Sequence, residues 1–263
     1  MNDRHLSERP TVVLLCGGLG LRQRSDGDDL PKPLRPLPDG RALILHVLDY
    51  YRSFGLDDFV LCTGYGARAM ERLLLDEFPV SPADVETGAG WLRFAAGGTR
   101  LTLVDNGPYA EKCVRLLAAA EHLRPGPFLL GYGDVLSDFD LRRLLGRHQE
   151  SGTAVTMTAT RVRSRYGEIV VGPGMSVTAF VEKPLQPALI SAGYFACSPR
   201  LLSALSPALG LEEDVLPALA AAGEVDAVVH DGRWLPFDTY KDFVDAEALA
   251  AQEGFPWPTP VRA

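Results

Sequence analysis

Short apolar runs alternate with amphipathic stretches along this chain. The run Val12-Val13-Leu14-Leu15-Cys16 is unbroken and stops on Gly17-Gly18, which predicts a buried strand. Ala42 to Phe54 is apolar except for His46, Asp49, Arg52 and Ser53 at helical spacing. That pattern predicts a largely buried helix with a narrow wet stripe, capped by Asp39-Gly40 and closed by Gly55. A strand follows at Phe59 to Thr63, then a Gly64-Tyr65-Gly66 turn and a helix from Ala67 to Phe78. Trp91 to Ala96 and Leu101 to Asp105, joined through Gly97-Gly98, predict an antiparallel pair, and Ala110 to Leu123 a helix. Phe128 to Tyr132 is a second short buried strand, ending on Gly133-Asp134, with a helix expected from Asp138 to His148 and a strand from Thr153 to Thr160. From Arg161 to Cys197 the pattern changes to short extended runs punctuated by Gly167, Gly172, Gly174 and Gly193, an inserted small mixed β region. Helices at Glu212 to Ala222 and Tyr240 to Gln252 flank an extended Val225 to His230.

Strand, helix, strand, helix is the rhythm of an α/β fold, a mostly parallel sheet flanked by helices. Ligands of such sheets gather at the carboxyl ends of strands, so Gly17-Gly18 and Asp134 are expected to face one crevice. A length of 263 residues suits a single domain, and 46% hydrophobic with 23% charged residues suits a soluble enzyme. The formal net charge of −8 argues against a nucleic-acid partner but leaves room for a small anion held by a few placed cations. The 4 cysteines, Cys16, Cys62, Cys113 and Cys197, are widely spaced, indicating neither zinc nor a disulfide framework. Burial as small hydrophobes is expected of them. The polar Met1 to Pro10 segment and the absence of any run near the ~18 apolar residues of a membrane span predict no membrane partner and a cytoplasmic location.

Gly17-Gly18-Leu19-Gly20-Leu21-Arg22 after the first strand, with Pro31-Lys32-Pro33 nearby, suits a phosphate cradle. Glycines let backbone N–H groups converge on an anion, while Arg22 and Lys32 bring positive charge; a purely structural glycine turn is the plainer alternative. Two better-known loops fail on spacing. A P-loop needs Gly-Lys-Ser/Thr, and no Gly-Lys pair occurs. A dinucleotide fingerprint needs its third glycine later and a helix after it, whereas this loop runs polar through Ser25-Asp26-Gly27-Asp28-Asp29, which disfavours an NAD-type oxidoreductase. A nucleoside triphosphate is therefore the expected ligand, and its Mg²⁺ would take one or two carboxylates. Asp134, at a strand tip, is one candidate; Asp238, in Leu235-Pro236-Phe237-Asp238-Thr239, either binds metal or caps the last helix. Glu182-Lys183-Pro184 ends an extended run and is either a solvated pair or a site where Lys183 meets phosphate and Glu182 meets hydroxyls.

In order, these segments resemble the sugar-1-phosphate nucleotidyltransferases, and most closely the glucose-1-phosphate cytidylyltransferases. The resemblance runs from Thr11 to about Pro260 and also takes in Thr63-Gly64-Tyr65, Leu103-Val104-Asp105, Tyr132-Gly133-Asp134, Arg165-Tyr166-Gly167, Ala192-Gly193-Tyr194-Phe195 and Trp234 to Thr239. It implies a Rossmann-like fold of the nucleotide-diphospho-sugar transferase type. Residues 11–160 would form the nucleotide-binding core, and 161–263 the sugar-phosphate-binding part with the C-terminal helices. It further implies transfer of a nucleotidyl group from an NTP, foremost CTP, to a sugar 1-phosphate, foremost glucose 1-phosphate, with Mg²⁺ on Asp134 and Asp238. The nucleotide is expected at Cys16, Gly17, Gly18, Gly20, Arg22, Lys32, Asn106, Glu111 and Gly133, and the sugar phosphate at Tyr166, Gly167, Glu182, Lys183 and Gly193. Arg22, Lys32 and Lys183 carry the catalytic assignment, and a homo-oligomer is implied. A non-catalytic relative that binds nucleotides or sugar phosphates is the rival class.

Three departures stand out. Leu21 replaces a usual Thr, and Leu30 a usual Lys, so that a triphosphate contact is lost or passes to Arg24 or Arg35. Tyr109-Ala110-Glu111-Lys112 stands where the cytidylyltransferases have Thr-Gly-Gly-Arg, which leaves the choice of base open, GTP or a cyclitol phosphate acceptor included.

Overall fold

In a computed structural model, residues 9–18 and 30–253 are described. At its centre lies β1 (Val12–Leu15), wholly buried between two parallel neighbours, β2 (Asp58–Thr63) and β6 (Phe128–Tyr132). The remaining strands of the main sheet are β3 (Glu86–Gly88), β4 (Trp91–Ala96), β5 (Thr99–Asp105), β8 (Val155–Thr160), β11 (Ile190–Cys197) and β12 (Val225–His230). Their order is β12-β8-β11-β6-β1-β2-β5-β4-β3. β11 is antiparallel to both β6 and β8, and β4 is antiparallel to β5, while β12, β8, β6, β1, β2 and β5 share one direction.

Alternation along β1 divides the core into two layers. Val12 and Leu14 pack with α1 (Leu43–Ser53), whereas Val13 and Leu15 pack toward Cys113 and Leu116 of α3 (Lys112–Ala120). A strand buried on both faces must be apolar throughout, which is why an unbroken run marks it. All four cysteines are buried and free. At the amino-terminal edge of the sheet, Asp58 accepts hydrogen bonds from Arg100 at 2.6 Å and Thr11 at 2.7 Å, with Arg124 at 3.0 Å.

Several local expectations change. The stripe on α1 is wet only at its end, where Ser53 is exposed and Arg52 half-buried; His46 and Asp49 are buried, Asp49 receiving Arg41 and Arg52 and His46 meeting Asp39 at 3.1 Å. Paired polar groups make such burial tolerable, and spacing alone does not reveal the pairs. Asp39 does not cap α1, whose N-cap is Ala42; its carboxylate accepts from the Arg41 N–H in the preceding turn. The helix expected from Ala110 begins at Lys112, and that expected from Asp138 is α4 (Leu141–Ser151), capped by Asp140. Glu212 to Ala222 is a π-helical turn, Leu211–Val215, running into a short α6 (Leu216–Ala221). Asp238 is not the cap of α7 (Tyr240–Glu253); Asp242 closes that turn by accepting from the Thr239 N–H at 2.6 Å.

The region 161–197 splits in two. β9 (Glu168–Val171) and β10 (Val177–Val181) form a separate antiparallel hairpin, while β11 returns into the main sheet. The hairpin rises from the carboxyl end of β8, the sheet edge where β1 and β6 also end. Ile169, Val170, Phe180 and Val181 on it are exposed.

Candidate active site

β1 and β6 end side by side, and the chain turns to opposite sides of the sheet from there, β2 lying on one flank of β1 and β6 on the other. Such a switch in strand order opens a crevice at the carboxyl ends. The Cys16 N–H bonds to the Cys62 carbonyl and the Gly133 N–H to that of Leu15, both at 3.0 Å, which puts Gly17-Gly18 beside Gly133-Asp134. A short antiparallel pair, β7 (Val135–Ser137) with β13 (Trp234–Pro236), then carries the distant Asp238 to the same place: Pro236 pairs with Val135, and the Phe237 N–H donates to the Asp134 carbonyl at 2.9 Å.

Lys32 opens a one-turn 3₁₀ helix, Lys32–Leu34. Its Nζ lies 3.0 Å from Asp238 Oδ1 and 3.5 Å from Asp134 Oδ2. Burial pushes the Asp134 carboxyl above its ordinary range; Lys32 pulls it back and Asp238 pushes it further. Two carboxylates that converge on one cation, one of them penalised by burial, form a donor set suited to Mg²⁺, which takes few protein ligands and completes its shell with phosphate and water. The cleft above them has a volume of about 380 Å³ and is lined by Gly17, Lys112, Tyr132, Asp134, Gly193 and Asp238 among others. A smaller recess adjoins it, bounded by Cys16, Gly17, Gly18, Lys32 and Asp134.

The cleft lining and its supports have parts that sequence reasoning left without a role. Glu212, in the π-helical turn, accepts from Lys112 Nζ and from the Tyr132 hydroxyl, each at 2.5 Å, and Lys112 also lies over the Tyr132 ring at 5.3 Å. Burial opposes charge on Glu212, yet these two hydrogen bonds hold its carboxyl below the ordinary range. The cation at 112 stood in the departing segment; its anchor a hundred positions later carried no spacing signal. Gly193 occupies an irregularity in the β11–β8 register with φ +83°, a left-handed conformation, and a Cβ there would lie 2.7 Å from the Tyr132 ring.

Cys16, Gly17, Gly18, Lys32, Gly133, Asp134, Gly193 and Asp238 are thus brought together, Gly133 being so close to Cys16 that a Cβ would come within 2.7 Å of its Sγ. Others stand apart from the cleft lining. Asn106 follows β5 with its Oδ1 buried and, among the described residues, unbonded, and Glu111 is the exposed N-cap residue of α3. Tyr166 and Gly167 lead into β9 of the hairpin, and Glu182 and Lys183 lead out of β10. There Gly167 abuts Glu182 and Phe180, Lys183 lies 3.8 Å from Glu182, and Lys183 has φ +47°. Arg35 is buried with its guanidinium over Phe243, away from the cleft. Gly20 and Arg22, with Leu21 and Arg24, lie outside the described residues.

Known proteins match nearly the whole of this chain. The glucose-1-phosphate cytidylyltransferase of Salmonella typhimurium is 31% identical over 256 residues, covering 94% of this chain and 98% of that protein. A probable glucose-1-phosphate cytidylyltransferase of Bacillus subtilis is 30% identical over 252 residues, covering 94% and 98%. In fold, HddC from Yersinia pseudotuberculosis, solved with GMP-PN, superposes with a TM-score of 0.67 at 18% identity over 91% of this chain and 99% of its own. The nucleotidyl transferase family model matches residues 11–253, and with it the chain belongs to that family as a sugar-1-phosphate nucleotidyltransferase.

Proposed function

We propose that this chain transfers a cytidylyl group from CTP to glucose 1-phosphate or a closely related sugar phosphate, yielding a CDP-sugar and pyrophosphate. The observation that carries the proposal is the meeting of Gly17-Gly18, Lys32, Asp134 and Asp238 in one cleft, from four separate parts of the chain. The two cytidylyltransferase relatives support the choice of base and sugar.

A sugar phosphate is largely a dianion at neutral pH, its second pKa lying near ~6, so the attacking oxygen needs no general base. That oxygen bonds to the α-phosphorus as the bond from the α-phosphorus to the oxygen bridging to the β-phosphorus breaks, and the electron pair leaves with pyrophosphate. Positioning and charge neutralisation are then the enzyme's work. Asp134 and Asp238 would hold Mg²⁺, which when bound neutralises phosphate charge. The Lys32 ammonium, beside both carboxylates, would meet the triphosphate together with Arg22 and with Lys112 of the cleft lining. Cys16, Gly18, Gly20, Asn106, Glu111 and Gly133 complete the nucleotide side. Tyr166, Gly167, Glu182, Lys183 and Gly193 receive the sugar phosphate, and Lys183 aligns its attacking oxygen. A non-glycine residue held at positive φ, as Lys183 is, fits a functional placement. The exposed apolar hairpin fits packing against another copy in a homo-oligomer.

Incubation with each of the four NTPs, Mg²⁺ and glucose 1-phosphate, following pyrophosphate release, tests this. CTP is expected to give the fastest release. A clear preference for GTP would overturn the base assignment, and tight binding of NTP without turnover would overturn the enzyme in favour of a binding protein.

A further inference from the structure

Behind the Gly17-Gly18 turn lies a buried positive charge. Arg115, on α3, is 2% exposed. Its Nε donates to the Ala110 carbonyl at 2.9 Å, Nη2 to the Gly107 carbonyl at 3.0 Å, and Nη1 to the Thr63 carbonyl. Among the described residues no carboxylate pairs with it. The guanidinium packs under two glycines: a Cβ at Gly64 would come within 2.8 Å of both terminal nitrogens, and one at Gly17 would overlap Nη1 and Cζ outright. Gly17 therefore has a cause beyond the approach of a ligand, since the space of its side chain is filled from below by Arg115.

Two consequences follow from elementary electrostatics. A guanidinium forking to three carbonyls locks the end of β2 and the loop between β5 and α3 against the turn after β1, the strand ends that frame the nucleotide side of the cleft. An ion buried without a counterion is also costly, and carbonyl dipoles offset only part of that cost. Neutral hydrogen-bonding side chains could tie loops together at smaller expense. The charge is worth its cost where an anion arrives on the other side of Gly17, which borders both the cleft and the recess.

We propose that Arg115 is a positioning residue that sets the Gly17 turn and supplies the buried positive charge which a bound polyphosphate neutralises. It rests on the nucleotidyltransferase assignment and adds a residue that touches no substrate. The test is a calorimetric titration of CTP, CDP, CMP and cytidine, with Mg²⁺, into the unaltered protein, Arg115→Gln and Arg115→Lys, each checked for its melting temperature. Because Coulomb energy scales with ligand charge, Arg115→Gln is expected to weaken CTP by about tenfold or more, CDP and CMP progressively less, and cytidine by less than about twofold. Equal weakening across the series, or unchanged CTP affinity, would overturn the proposal and leave Arg115 as a structural tie. If Arg115→Gln does not fold, Arg115→Lys decides: it keeps the charge and loses the fork, so the preference for CTP over cytidine must survive in it. Failure of the unaltered protein to bind any nucleotide would instead sink the nucleotidyltransferase assignment, and this proposal with it.

Discussion

Replacing Gly193 by alanine joins backbone conformation to the candidate site in one measurable change. Gly193 has φ +83°, where an L-residue pays about 1–2 kcal/mol. The new methyl would sit 2.7 Å from Tyr132 Cδ2, and the ring has little freedom to retreat: its hydroxyl is bonded to Glu212 at 2.5 Å and its edge meets Phe195 at a centroid distance of 6.1 Å. Overpacking of this kind adds about 1–3 kcal/mol. Together the two effects predict a loss of about 2–5 kcal/mol, which for a chain of this size lowers the melting temperature by roughly 4–20 °C. Differential scanning calorimetry measures that, and pyrophosphate release measures the second consequence. If Tyr132 moves, the Glu212 carboxylate that it shares with Lys112 in the cleft lining is disturbed, so kcat/KM is expected to fall by about tenfold, equivalent to ~1.4 kcal/mol. A Gly193→Ala protein that melts within a degree of the original and turns over normally would show that neither the left-handed backbone nor the Tyr132 contact constrains this position.

Asp58→Asn should cost about 1–3 kcal/mol in urea unfolding, since it weakens a buried carboxylate's bonds to partly exposed Arg100 and Arg124, and should leave kcat/KM within about twofold. Burial opposes charge on Asp58, but Arg100, Thr11 and Arg124 more than offset it and hold the carboxyl below its ordinary range. The folded-state pKa is thus depressed, so its stabilisation is present above the unfolded-state value near ~3.9 and is lost as pH falls through the lower folded value. Stability curves of the original and Asp58→Asn proteins should converge at acid pH; parallel curves would refute the assignment. Lys183→Ala is expected to lower kcat/KM for the sugar phosphate by at least about tenfold, and normal kinetics would make Lys183 a surface residue. Asp238→Asn should abolish most pyrophosphate release at every Mg²⁺ concentration while retaining the fold by circular dichroism; full rescue by excess Mg²⁺ would show that one carboxylate suffices.

What the chain alone determined were the elements whose burial is total and the residues that only a few chemistries demand. Unbroken apolar runs marked β1, β2 and β6 because a strand covered on both faces has no polar side to show. Gly17-Gly18 and Asp134 were legible because each lies just past such a run, and Lys32 because it is a cation between two prolines soon after the glycine turn. What folding decided were the distances between parts that share no local pattern. Whether Asp238 capped a helix or faced Asp134 turned on β7 pairing with β13, a three-residue ladder too short to announce itself. His46 and Asp49 looked solvated until Asp39, Arg41 and Arg52 proved to be their partners. Glu212 meets Lys112, and Arg115 fills the space beneath Gly17, only through the docking of α3 and the π-helical turn on the sheet. Period and propensity act over a few residues, whereas charge pairing and steric exclusion act through space between segments of any separation; the strand ends and Lys32 were therefore readable in advance, and the places of Lys112 and Arg115 around them were not.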